Sequence, residues 1–568
     1  MVSADCPRLV IAGTASGVGK TSLVLGLARE LARRGLRVQT FKVGPDFLDP
    51  TWLALASGRT CYNLDGWMTS REYVCELFAR AAAGADIALI EGVMGLFDGA
   101  SPVGLEGSTA EVAAWLDAPL LLVVPARGAG RSLAATVQGF ARFEPGIRIA
   151  GVIANQGGSA RHRAWLAEAL GAAGLPPLVG AVPRGVLPPL PSRHLGLVTA
   201  DPGHLSPPIL DQLADACREH LDVAEILRLS GVARSWESAY VVSPGRQPGD
   251  GVNSSQDAGY PNAIPGLTPG APPPVPPGIT QAHLDSPPAF RLGVAWDEAF
   301  HFYYADNLES LQDRGVEICR FSPLADAGLP PGLDGLYLGG GYPELYAARL
   351  AANHTMLCDV RAWAASGRPL YAECGGLMYL GRSLLTHDGA RHAMAGVLPV
   401  QTVMLDRLKT LGYVEVSLRV DSLWGPAGAV CRGHEFHYSE IAADGREPTG
   451  SLTGGTSLTG TDGYHAQHGP RWSATQRVPG VASEPSTPFV PQGVPPDRVP
   501  TASWSPAYTV RRLRGEATVE GFARGNVLAS YVHLHWASRP EAADRFVAHW
   551  AARPETADRI VAHSEATA

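Results

Sequence analysis

Residues 8–23, RLVIAGTASGVGKTSL, set an apolar run against a glycine-rich turn, with a lysine-threonine pair opening the helical pattern that follows. A buried-type strand that feeds such a turn and then a helix predicts the first βα unit of a parallel sheet covered by helices. Backbone N–H groups of Gly13, Thr14, Ser16, Gly17, Val18 and Gly19 and the helix N-terminus then surround phosphates. Lys20 reaches the β and γ oxygens of ATP, and Thr21 ligates magnesium. The first glycine lies six residues before Gly19, where the common G-x-x-x-x-G-K-T spacing would need glycine at Thr14.

Further short apolar runs at Val38–Phe41, Ile87–Ile90, Leu120–Val124 and Ile149–Ala154 alternate with Ala/Leu-rich helical patterns, which is the βαβ rhythm of a parallel α/β domain over residues 1–231. From 232 to 288 that periodicity stops, and the text becomes PGRQPGDGVNSSQDAGYPNAIPGLTPGAPPPVPPG. Such a composition buries too little apolar surface to fold, so a Pro/Gly-rich linker is expected. A second βαβ series starts at Arg291–Trp296, continues through Gly335–Leu338 and Pro369–Ala372, and occupies 289–538. Within it, the Gly/Ser/Thr/Pro-rich stretch 443–509 is expected to be a disordered insertion. The tail, 539–568, repeats RPEAADRFVAHWAA as RPETADRIVAHSEA, which predicts a duplicated terminal helix.

Two acidic segments belong with the phosphate cradle. Asp46 follows the second strand, and Glu91 and Asp98 follow the third, so the three carboxylates are expected at the carboxyl edge of the sheet, where ligands bind. Hard oxygen ligands beside a triphosphate suit magnesium, with Thr21, Asp46 and Glu91 as the candidate ligands. Asn155, after the fifth strand, is a candidate for the adenine edge. The net charge of −8 argues against a large basic surface for nucleic acid or anionic lipid. No signal sequence or long apolar stretch is present, so a cytoplasmic protein is expected.

The eight cysteines contain no C-x-x-C pair, which reads as reduced thiols rather than a disulfide framework or zinc site. One of them stands out. In RPLYAECGGLMYLG a strand runs into Cys374, then Gly375 and Gly376, then a helix, which is an elbow that exposes a nucleophile. The N–H of Gly375 and those of the Leu338–Glu344 loop, Gly340 among them, are the candidate oxyanion hole. A base for the thiol is expected from NVLASYVHLHWAS, whose His533 and His535 alternate onto one sheet face and so are not separable by pattern. His434 and His437 sit on a third segment, and no H-E-x-x-H or cysteine pair makes the histidines a metal site.

The cradle, with its longer loop, resembles the dethiobiotin synthetase branch of P-loop proteins. Joined to a cysteine elbow, it resembles the cobyrinic acid a,c-diamide synthase family of glutamine-dependent amidoligases. The segments carrying that likeness are KVGPDFLDPTWLALASGRTCYNLDGWM from Lys42, IEGVMGLFDG from Ile90, LPSRHLGLV from Leu190, LGGGYPELY from Leu338 and RGHEFHYSE from Arg432. Cobyric acid synthases and nickel-sirohydrochlorin a,c-diamide synthases share the layout and are the alternative readings. The resemblance implies a dethiobiotin-synthetase-like parallel sheet followed by a class I triad glutamine amidotransferase domain of flavodoxin-like fold. It implies Cys374 as nucleophile and His533, rather than His535, as its base. The Pro-Glu that many such enzymes carry after the histidine is Leu534-His535 here, so the third triad member is left unnamed. The implied partners are ATP, L-glutamine and corrinoid tetrapyrrole carboxylates, with a homodimer as candidate assembly and Asp46, Phe47, Leu48 and Asp98 near the reacting acetate chains. The partitioning type of P-loop ATPase carries a signature lysine five residues before the P-loop lysine, where Ala15 stands here.

Overall fold

The computed structural model describes residues 6–190, 207–231, 290–443, 503–539 and 541–551. The first unit is a seven-stranded sheet built from β1 (Arg8–Gly13), β2 (Val38–Val43), β3 (Tyr62–Leu64), β4 (Ile87–Glu91), β5 (Leu120–Pro125), β6 (Ile149–Gly157) and β7 (Leu178–Pro183). Its order is β3-β2-β4-β1-β5-β6-β7, and every pairing is parallel. The central strands are near-continuous apolar runs because helices cover both faces. The helix after the cradle, α1 (Lys20–Arg33), buries Leu23, Leu27 and Leu31 at four-residue spacing. Gly26 lets that helix press against Pro207–His220, since a Cβ there would lie 2.5 Å from the Leu213 carbonyl oxygen. Strands β3 and β7 were not expected from pattern; both are sheet edges, where a short run carries little periodicity.

The second unit contains a ten-stranded sheet. Its parallel half runs Val316–Phe321, Phe290–Ala295, Gly335–Leu338, Leu370–Glu373, Val527–Ser530, which in chain order is 2-1-3-4-5, the flavodoxin-like arrangement. The other half is antiparallel and ends on Val430–His437 beside His533–Leu534. A smaller four-stranded sheet packs alongside. Ser505–Arg512 pairs on both sides within the large sheet, so the last residues of the stretch expected as insertion belong to the core fold. Alternating SPAYTVRR explains it: Tyr508 and Val510 point inward, a pattern hidden by the proline-rich text before it. The remainder of 443–509 after Ala443 up to residue 502, the linker, the LPSRHLGLV segment beyond Leu190 and the second tail repeat lie outside the described residues. The first tail repeat forms the helix Ala542–Ala551, whose Phe546 is buried against Trp424, Trp536 and Tyr371. No helix among the described residues is long and apolar enough to cross a membrane.

The two units meet along a seam rich in tyrosine-carboxylate bonds. Tyr62 donates to Glu309 at 2.6 Å, Tyr73 to Asp306 at 2.6 Å, and Tyr413 to Asp65 at 2.9 Å. Trp67 stacks on Tyr413 with centroids 4.7 Å apart, and Arg432 donates to the Trp67 carbonyl. The loop after β2 enters this seam as well, carrying Phe47.

Candidate active sites

At the carboxyl end of β1 the chain turns through Gly17 (φ 76°) and Gly19 (φ 94°), conformations that favour glycine. Ala15, Ser16 and Gly17 form the exposed rim, and Lys20 is buried beneath them with its Nζ bonded to the Ala15 and Met94 carbonyls. The loop after β4 lies alongside, because Gly92 donates to Ile11 and Leu96 to Gly13. Asp98 closes that loop by accepting from the Gly95 amide at 2.9 Å. Burial and the neighbouring Lys42 lower the Lys20 pKa to about 8. Asn155 lies under the cradle: its amide donates to the Val18 carbonyl at 2.8 Å, and its own oxygen accepts from Gln156. A side chain expected at adenine is therefore placed where it braces the phosphate loop.

Thr21 Oγ1 donates to Glu91 Oε1 at 2.5 Å, while Glu91 Oε2 is buried without a hydrogen-bond partner. An orphaned carboxylate oxygen beside a threonine hydroxyl suits a hard cation that takes its other ligands from phosphates and water. Asp46, expected as a third ligand, lies in the turn just before helix α2 (Asp49–Ser57), where its Oδ1 accepts from Leu48 N at 2.8 Å and Asp49 N at 3.0 Å. The residues bound into the Glu91 network are two that pattern reading passed over. Lys42 Nζ sits 2.6 Å from Asp49 and 3.1 Å from Glu91, fully enclosed. Burial opposes the Lys42 charge, but Asp49 and Glu91 outweigh it and hold the ammonium protonated above its ordinary range. The same burial, opposed by Lys42, raises Glu91 to about 7. Both residues were visible in KVGPDFLDP, as its first lysine and its second aspartate.

The second site forms where Leu370–Glu373 ends. Cys374 takes φ 47° and ψ −103°, a strained elbow of the kind that presents a nucleophile. Its amide is held by the Ser530 carbonyl, and its thiol faces the Phe436 carbonyl at 3.7 Å. Gly375 and Gly340 come together as expected: a Cβ on Gly375 would lie 3.1 Å from the Gly341 nitrogen and 3.4 Å from the Gly340 carbon. The Gly340 carbonyl accepts from both His301 and Phe302 amides, which fixes the loop. On Gly340, a Cβ would meet the His533 ring at 2.4 Å, so the histidine lies across this cradle. Burial works against a charge on His533, but Cys374 and then Glu373 outweigh it and raise its pKa to about 9.

The structure separates the two histidines that alternation could not. His533 turns toward Cys374, Gly340 and Glu373, whereas His535 turns into the seam, with Nε2 3.4 Å from Asp306. His434 stacks on His533 at 5.0 Å and is bonded to the Tyr304 hydroxyl; burial and the other two histidines push its pKa well down. His437 stacks on Tyr531 at 4.0 Å, and burial lowers it to about 4. Phe47, expected near an acetate chain, packs between the units: its ring lies 5.2 Å from Phe302, 4.6 Å from Tyr304 and 5.0 Å from His533. Leu48 is buried at the start of α2.

Comparison with known proteins follows this division. Residues 9–197 match a family described as the CobQ/CobB/MinD/ParA nucleotide binding domain, and residues 291–475 match the CobB/CobQ-like glutamine amidotransferase domain. A cobyrinate a,c-diamide synthase of Syntrophotalea carbinolica is 49% identical over 96% of this chain and 98% of its own. A hydrogenobyrinate a,c-diamide synthase of Streptomyces coelicolor is 39% identical over 95% of this chain and 97% of its own. The cobyrinate a,c-diamide synthase of Salmonella typhimurium is 37% identical with the same coverage. With a nucleotide cradle in one unit, a cysteine elbow in the other and such likeness along nearly the full length, the chain belongs to the cobyrinate and hydrogenobyrinate a,c-diamide synthase family.

Proposed function

We propose that the protein amidates the a- and c-acetate carboxylates of a corrinoid, using ATP and ammonia drawn from glutamine. The observation that carries this reading is the pairing of a strained Cys374 elbow, faced by His533, with a P-loop whose Thr21 and Glu91 stand ready for a metal-bound nucleotide. Cys374 attacks the glutamine amide, and the Gly340 and Gly375 backbone steadies the oxyanion. His533 passes the proton to the departing ammonia, and water then releases glutamate from the thioester. In the first unit Lys20 draws charge from the γ-phosphate while the acceptor carboxylate attacks it, forming an acyl phosphate and ADP. Ammonia displaces phosphate from that acyl group, a step closed to an unactivated carboxylate. Thr21 and Glu91 would hold a magnesium ion, which when bound would neutralise charge on the phosphates. Asp46 and Asp98, at the carboxyl edge, flank the acceptor. Two cycles give the diamide.

Mass spectrometry of cobyrinic acid and its cobalt-free analogue, each incubated with protein, Mg-ATP and either glutamine or ammonium, tests this reading. Wild type is expected to add two amides from either nitrogen source, and Cys374→Ala only from ammonium. Glutamine hydrolysis without amidation of either corrinoid would remove the substrate assignment.

A further inference from the structure

His533 has no carboxylate two residues on, where His535 stands and faces Asp306 instead. A buried carboxylate does reach it from a different strand. Glu373, the residue immediately before the nucleophile, is 2% exposed and holds its Oε2 3.6 Å from His533 Nδ1. The other end of the ring lies at the catalytic cradle, since a Cβ on Gly340 would come within 3.1 Å of His533 Nε2. One imidazole nitrogen thus faces the nucleophile's side and the other faces Glu373.

The bonds that Glu373 makes define what remains free on it. Oε1 accepts from the Tyr371 hydroxyl at 2.6 Å and from the Leu534 amide at 3.1 Å, which saturates that oxygen. Oε2 accepts from Tyr337 at 2.8 Å, and its second lone pair is left toward His533, whose Nδ1 is buried with no hydrogen-bond partner. Three donors anchor the carboxylate, and one of them belongs to the residue after the histidine. A small rotation of the ring closes the 3.6 Å gap to hydrogen-bond length, as catalytic contacts tighten when substrate binds.

We propose that Glu373 is the third member of the glutaminase triad, a positioning residue that fixes the His533 tautomer with Nε2 toward Cys374 and stabilises the imidazolium formed during thiol attack. The acid has moved from two residues after the histidine to the residue before the cysteine, reaching the same nitrogen from the adjacent side. The raised His533 pKa, to which Glu373 contributes after Cys374, agrees with this arrangement. The inference rests on the glutaminase reading of Cys374 and His533.

The test compares wild type, Glu373→Gln, Glu373→Asp and Cys374→Ala as full chains. Two quantities are read: the ratio of glutamine-driven to ammonium-driven corrinoid amidation, and the pH dependence of Cys374 alkylation by iodoacetamide. In Glu373→Gln the ratio is expected to fall by about 100-fold or more, with half-maximal alkylation displaced upward by about one pH unit. Glu373→Asp, which keeps a carboxylate on a shorter arm, is expected to recover part of the ratio. A Gln variant whose ratio lies within about threefold of wild type, with the same alkylation profile, overturns the proposal. If the Gln variant fails to fold, the 15N NMR signals of His533 in the wild-type chain decide: a neutral ring carrying its proton on Nδ1 is expected, and one carrying it on Nε2 overturns the proposal equally. Continued use of glutamine by Cys374→Ala would instead remove the glutaminase reading itself, an outcome that no Glu373 variant can produce.

Discussion

Lys42 is closed off from water, and its ammonium depends on Asp49 at 2.6 Å and Glu91 at 3.1 Å. Removing one partner strands part of a buried charge, so Asp49→Ala is expected to lower unfolding free energy by about 3–5 kcal/mol, read by urea denaturation. His533 offers a pH test with a definite sign. Its folded pKa, about 9, lies above the ordinary histidine value, so the folded state binds that proton more tightly. The resulting stability is complete below about pH 6.5. It disappears as pH rises through about 9. Unfolding free energy of wild type should therefore fall across that window, and His533→Gln should remove the slope. Lys20→Ala is expected to abolish ATP-dependent amidation from either nitrogen source while leaving the pH profile of Cys374 alkylation in place, because the two sites sit in different units.

Among the elements, the elbow after Leu370–Glu373 depends most on small residues. A Cβ on Gly376 would sit 2.1 Å from the Leu338 carbonyl oxygen, on rigid backbone of the neighbouring strand. Gly376→Ala is therefore expected to lower the melting temperature and to slow Cys374 alkylation together, measured by calorimetry and peptide mass spectrometry. The phosphate loop is handled differently. Its glycines supply positive φ, and Asn155 reaches from β6 to hold the Val18 carbonyl, so one strand end supports the loop of another.

Across the whole molecule, the loop between β2 and α2 links the two sites. Asp49 is tied through Lys42 to Glu91 and Thr21, and two residues earlier Phe47 lies against His533. Phe47→Ala removes the ring that packs against Phe302, Tyr304 and His533 in the seam. The glutamate formed per amide is expected to rise above one, measured by paired product assays, while Phe47→Tyr keeps it near one.

Much of this was legible in the chain. The parallel sheet, the cradle of Gly13 to Thr21 and the Cys374 elbow follow from local text, because strand, turn and helix there are adjacent in sequence and their side-chain period is visible. What the chain could not disclose were relations between distant segments. His533 and His535 have the same local pattern, and only the fold turns one to Cys374 and the other to Asp306. Lys42 with Asp49, and Glu373 with His533, are pairs whose meaning is burial: a charge reads as ordinary until packing takes away its water and leaves it only the few partners within reach. The sequence by itself thus determined which chemistries the chain carries, because they reside in short contiguous motifs. Tertiary structure alone decided which charges pair, which histidine faces the thiol and how the sites adjoin, because those depend on distances set by the packing of strands far apart in the chain.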